Sequence, residues 1–158
     1  MNEVAADPLI EVLLVEDTPE DVELTLEALG GYIPVSRIRV ARDGLEALQY
    51  LHGADGEDGA AAAGNLPRVV LLDLKLPKVD GLEVLERIRT DPRTELLPVV
   101  LLTSSAEETD MHRAYKLHAN SYIAKPVQFD EFATVLREIG VYWLSMNRAP
   151  TRPASRQP

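Results

Sequence analysis

The sequence predicts an α/β fold, a five-stranded parallel sheet with helices on both faces, and three observations lead there. Short continuous apolar runs, VLLV at 12–15, VVLL at 69–72 and VVLL at 99–102, recur along the chain, and such runs are the mark of strands buried on both faces of a parallel sheet. Segments with helical spacing separate them, so strand and helix alternate five times. Finally, the runs end in chemistry: Glu16-Asp17 after VLLV, Asp73 after VVLL, Thr103 after the second VVLL, and Lys125 after SYIA. The carboxyl ends of parallel strands lie along one edge, where open α/β sheets place their ligand sites.

The first strand covers 10–15. Thr18 as N-cap, Pro19 in the first turn, and Glu20 and Asp21 near the positive end of the dipole then open a helix that runs to about Leu29. Its apolar residues Val22, Leu26 and Leu29 recur at helical spacing, and Gly30-Gly31 ends it. A second strand at 37–41 and an Asp43-Gly44 turn lead to a helix at 45–51 with Leu45, Leu48 and Leu51 on one side. Residues 52–66 hold Gly, Ala and acids without apolar periodicity and are expected to form an inserted surface loop. Strands at 68–72, 98–102 and 121–124 alternate with helices at 81–90, 106–117 and from Phe129 to about Tyr142. Right-handed crossovers and coverage of both faces favour the flavodoxin-like order 2-1-3-4-5, whose switch point falls between the strands ending in Glu16-Asp17 and Asp73. One domain is expected over 9–146, followed by a flexible tail at 147–158 with three prolines and three arginines.

Composition narrows the function. The chain has 158 residues, a formal net charge of -10 and no cysteine, which excludes disulfides, thiolate metal sites and thiol catalysis. An excess of acid argues against a general nucleic-acid surface, because binding phosphate backbones needs clustered Lys and Arg. With neither a secretion signal nor an apolar run long enough to span a membrane, a cytoplasmic location is the default expectation.

Three carboxylates at neighbouring strand ends need compensation, since two unit charges at 4 Å repel by about 4 kcal/mol at an effective dielectric of 20. All-oxygen ligands, few in number and open to water, suit Mg²⁺ or Mn²⁺ rather than zinc. A strand-end carboxylate beside such an ion can attack a phosphoryl donor, and Asp73, central in the sheet and followed by the tight turn LKLPKVDG, is the best-placed nucleophile. Lys125 would offer positive charge to one phosphoryl oxygen and Thr103 a hydroxyl to another. Singly, each residue has an ordinary explanation as a cap, a strand-end hydroxyl or a solvated side chain. The joint placement is what points to a site. Truncating Lys125 is expected to cost signalling more than folding, because a strand-end charge is rarely a large stability term.

Through VLLVEDTPED, VVLLDLKLPKVDG, PVVLLTSSA and SYIAKPV, residues 9–142 resemble the receiver domain of two-component response regulators. The resemblance implies that Asp73 accepts a phosphoryl group from a phosphohistidine on a sensor histidine kinase. It implies that Asp17, Asp73 and the backbone carbonyl of Lys75 bind Mg²⁺ directly and Glu16 through water. Thr103 and Tyr122 would form the switch, the small Ser104 would leave the site reachable, Lys125-Pro126 would be joined by a cis peptide, and the face of the 106–117 helix, strand 121–124 and the last helix would change. No output domain follows the last helix, so the resemblance is to single-domain receivers that act through protein contact. The insertion and the ending YWLSMNRAP are similar to regulators paired with bacterial phytochromes, which would make the kinase a red-light sensor.

Tyr142, Trp143 and Met146 place apolar bulk late in the chain, continuing the stripe Phe132, Leu136, Ile139, although Gly140 counts against an unbroken helix. They either close the bottom of the core or mark a homodimer contact. Two other readings compete. An aspartate-nucleophile phosphohydrolase of the haloacid-dehalogenase type would carry its general acid two residues after Asp73, where this chain has Lys75. A constitutive receiver-like binding module would lack an acid, the hydroxyl or the lysine, and all are present.

Overall fold

Strands VLLV, VVLL and VVLLT bury every one of their residues, as strands paired on both edges and covered on both faces must. A computed structural model describes residues 9–150. Its strands are β1 (Val12–Val15), β2 (Ile38–Ala41), β3 (Val69–Leu72), β4 (Val99–Thr103) and β5 (Ser121–Ala124), all parallel and ordered β2-β1-β3-β4-β5 as expected. The helices are α1 (Pro19–Leu29), α2 (Gly44–His52), a single turn α3 (Ala60–Ala63), α4 (Gly81–Thr90), α5 (Glu108–Lys116) and α6 (Phe129–Gly140).

Alternation along the strands divides the core in two. Leu13, Val15, Val70, Leu72 and Leu101 face α2, α4 and α5, packing with Leu48, Leu51, Leu85, Ile88 and Ala114. Val12, Leu14, Val69, Leu71, Val100 and Leu102 face α1 and α6, packing with Val22, Leu29, Phe132, Leu136 and Ile139. Beneath the sheet's amino ends, the carboxylate of Glu11 accepts from Arg37 at 2.8 Å and from Arg68 at 2.9 Å, tying the entries of β2 and β3 to β1.

Several boundaries differ from expectation for visible reasons. The second strand starts at Ile38 because Val35–Arg37 close a 3-10 turn. Residues 52–66 are more than a loop: α3 lies within them, and Arg93 donates to the carbonyls of Gly56 and Glu57 at 2.9 and 3.1 Å while pairing with Asp91 at 2.6 Å. That Arg93 pairing holds the Asp91 carboxyl down at about 2, against some opposition from burial. His52 caps the same corner, its Nε2 lying 3.0 Å from Thr94 Oγ1, and burial keeps the imidazole below its ordinary pKa. Lys125-Pro126 departs from the cis peptide that the resemblance implied, since no described peptide bond is cis. The trans form is the default even before proline, favoured by about 0.5–1 kcal/mol.

The helical path continues further, but its α-helical part ends at Gly140, as that residue suggested. A Cβ there would stand 2.7 Å from the Tyr32 ring, so glycine lets α6 lie close against the segment after α1, and the backbone then widens into a π-helical turn over Val141–Met146. Leu144 is buried and Trp143 half-buried, whereas Tyr142 and Met146 remain exposed. The part of the expected tail from residue 151 onward lies outside the described residues.

The turn after β3 depends on Gly81, whose N–H donates to Leu74 O at 2.8 Å. A Cβ at this position would overlap the carbonyl oxygen of Asp73 and lie 2.7 Å from Leu74 Cα, both backbone atoms with little room to shift. Gly81→Ala is therefore expected to lose about 1–3 kcal/mol in urea unfolding, the usual cost of overpacking. Wild-type stability in that variant would refute the close approach.

Candidate functional site

Pairing register builds the site. Val15 lies opposite Leu72, so the next residues, Glu16 and Asp73, leave neighbouring strands side by side, and Asp73 N–H donates to Val15 O at 3.1 Å. On the other side Thr103 pairs with Ala124, and Lys125 N–H donates to Thr103 O at 2.8 Å. Four segments far apart in sequence thus deliver their side chains to the carboxyl edge of the sheet.

The lysine is the hub. Its Nζ lies 2.6 Å from Glu16 Oε1, 2.9 Å from Asp21 Oδ2 and 3.2 Å from Asp73 Oδ2. The side chains of Lys125, Glu16 and Asp73 are 8%, 4% and 8% exposed, so these are interior ion pairs. Burial by itself would lower the ammonium's pKa, but its hydrogen bonds to Glu16 and Asp21, reinforced by the charge of Asp73, raise it well above the ordinary lysine value. Glu16 is shifted upward, burial outweighing the help it receives from Lys125 and from Thr18 N–H at 3.1 Å. Asp73 is steadied by Leu74 N–H, which donates to its Oδ1 at 2.7 Å.

Each expected residue has a definite place. Carboxylate oxygens of Glu16, Asp17 and Asp73 lie within 4.8 Å of one another, with Asp17 the most open of the three. Against four acids, Glu16, Asp17, Asp21 and Asp73, the cluster sets a single ammonium, so it has the hard oxygen donors and the uncompensated negative charge that a Mg²⁺-class ion needs. Lys75 lies in the turn after Asp73 with its side chain exposed. Thr103 is fully buried, and its hydroxyl accepts from Ser105 N–H at 3.1 Å. Tyr122 stands further off: its hydroxyl donates to Ser105 O at 2.9 Å, while Ser105 Oγ donates to Asp110 Oδ2 at 2.7 Å. Thr103 and Tyr122 therefore meet on one residue, Ser105, whose side chain bonds α5.

Two features were not read from the sequence. Asp21 was legible only as an acid suited to a helix start, although its place in the first turn after β1 also points it at the site. Lys125 stands at the site as the sequence predicts, but its burial does not follow from the sequence: rather than a strand-end charge of small stability cost, it is enclosed among carboxylates contributed from 52 to 109 residues away.

Comparison with known proteins agrees with this geometry. Residues 12–137 match the response regulator receiver domain. FilR2 of Methanothrix harundinacea, described as a probable methanogenesis regulatory protein, is 44% identical over 146 residues, covering 92% of this chain and 90% of FilR2. The Mn²⁺-bound structure of Rcp1, a response regulator of Synechocystis, is 34% identical and superposes with a TM-score of 0.80 over 91% of this chain and 100% of its own. The phosphorylated cyanobacterial phytochrome response regulator RcpA is 37% identical with a TM-score of 0.81, over 91% and 100%.

Removing the hub leaves buried carboxylates facing one another. Lys125→Ala is expected to lose about 3 kcal/mol or more, the usual result of breaking a buried pair. Millimolar Mg²⁺ or Mn²⁺ should restore part of that stability in thermal unfolding, and indifference of the variant to both ions would contradict the charge account.

Proposed function

The chain belongs to the response regulator receiver domain family, and from that premise we propose that Asp73 accepts a phosphoryl group from a sensor histidine kinase. The observation that carries the reading is Lys125 Nζ bonded at once to Glu16 and Asp73 at the sheet's switch point. An Asp73 carboxylate oxygen attacks phosphorus, a P–O bond forms, the P–N bond of the phosphohistidine breaks, and its electron pair returns to the imidazole. Lys125 then passes a hydrogen bond to a phosphoryl oxygen, and the Thr103 hydroxyl takes another. Tyr122 follows, because both residues are tied to Ser105.

Asp17, Asp73 and the Lys75 carbonyl would hold Mg²⁺ or Mn²⁺, with Glu16 reaching it through water. Such an ion supplies charge neutralisation for the acids and the incoming phosphoryl group. Rcp1 with Mn²⁺ supports a divalent ion at a site of this class. Likeness to a phytochrome response regulator supports a light-sensing kinase as the donor. The reading places the protein in the cytoplasm, with the ATP that charges a histidine kinase.

The signal leaves through protein contact on the face of α5, β5 and α6, to which the Ser105 hydroxyl links the site through Asp110. A second copy of the chain is one proposed partner. Exposed Tyr142 lines a groove with Ile123, Val135, Ile139 and Trp143, and Met146 is exposed four residues further on. Sedimentation should show a concentration-dependent dimer, and a monomer at high concentration with and without phosphorylation would dispose of it.

Intact-mass analysis after incubation with acetyl phosphate or phosphoramidate tests the main reading. One added phosphoryl group is expected, lost in Asp73→Asn, and needing more Mg²⁺ in Asp17→Asn. Wild-type labelling in Asp73→Asn would overturn it, and sustained Asp73-dependent turnover of a phosphomonoester would favour a phosphohydrolase.

A further inference from the structure

The first turn of α1 contributes an acid for which the phosphoacceptor reading has no use. Asp21 sends Oδ2 to 2.9 Å from Lys125 Nζ, and its own carbonyl accepts from Thr25 Oγ1 at 2.7 Å, within α1. An ammonium has three hydrogens, and here Glu16, Asp21 and Asp73 provide an acceptor for each. A phosphoryl oxygen arriving on Asp73 must take one of those hydrogens from a carboxylate.

Asp21 differs from the other two acceptors. Glu16 and Asp73 belong to the group of acids able to share a cation, and Asp21 does not. Its side chain is 25% exposed, against 4% for Glu16 and 8% for Asp73, so water can replace the lysine at Asp21 more easily than at either neighbour. Nor is Asp21 needed to bring Lys125 to the pocket. The lysine is carried there by β5, whose register with β4 and Lys125 N–H···O bond to Thr103 fix its backbone. What Asp21 adds is a negative charge and a claim on the ammonium, and both oppose a phosphoryl group on Asp73.

Resting on the reading that Asp73 is the phosphoacceptor, we propose that Asp21 is a positioning residue that competes with the phosphoryl group for Lys125. It holds the lysine toward α1 and so weakens the phosphorylated arrangement.

Beryllofluoride, a tetrahedral phosphoryl mimic that bonds a carboxylate oxygen, provides the test by equilibrium titration of the full chain in Mg²⁺. Asp21→Asn keeps the side chain's shape and is expected to tighten binding by about threefold to tenfold, the range of one net hydrogen bond. Asp21→Ala should move the same way and serves if the amide finds a new partner. Glu20→Gln removes a neighbouring exposed charge of the same turn and should leave binding within about twofold, a merely local electrostatic shift being small at the surface. Unchanged or weaker binding in both Asp21 variants overturns the proposal, and so does equal tightening by Glu20→Gln, which would assign the effect to overall charge. If wild type itself shows no binding that depends on Asp73, the phosphoacceptor reading fails and this proposal with it. Binding that needs Asp73 but ignores Asp21 removes the Asp21 role alone.

Discussion

One buried ammonium makes the carboxyl edge of this sheet possible. Glu16 and Asp73 converge because β1 and β3 end side by side, Asp21 joins them from the first turn of α1, and without a cation their mutual repulsion would push that edge apart. Lys125 eases the conflict by donating to three carboxylates from one atom. The same arrangement is poised to change. A lysine shared among acids can be redistributed when the charge on one of them changes, and no stronger displacement is needed to begin a switch.

How such a redistribution would travel is written in the loop after β4. Ser105 offers its amide to Thr103, its carbonyl to Tyr122 and its hydroxyl to Asp110 in α5. A shift of the strand-end hydroxyl is therefore felt at an edge-strand aromatic and at a helix through a single residue. Coupling of this kind requires two arrangements of that loop with different affinities for what sits on Asp73.

Much of the fold was legible because the informative signals are local. VLLV, VVLL and VVLLT have no polar residue before their last position, so burial on both faces could be read directly, and β1, β3 and β4 then fixed the sheet's centre. The start of α1 at Pro19 was equally plain from Thr18 before it and the acids that follow. What escaped depends on distant partners. Lys125 reads as a site residue but a weakly stabilising strand-end charge, and its burial among carboxylates is visible only once strand pairing brings Glu16 to it across 109 positions. The 52–66 segment reads as a loop because its anchor, Arg93, lies 36 and 37 residues further on. Gly140 marks the end of the α-helix in sequence as in structure, but its packing reason appears only when Tyr32 is seen occupying the space a side chain would take.

Register in β3 has a further consequence. Side chains alternate between faces, so a slip of a single residue against β1 would exchange Val70 and Leu72 for Val69 and Leu71 in the layer beneath α4. It would also carry Asp73 away from Glu16. Core and acid cluster are thus specified by one alignment, and a molecule cannot satisfy either while misaligning the other. Quality control of folding is then quality control of the signalling chemistry: the cell gains no population of well-packed but chemically incompetent copies.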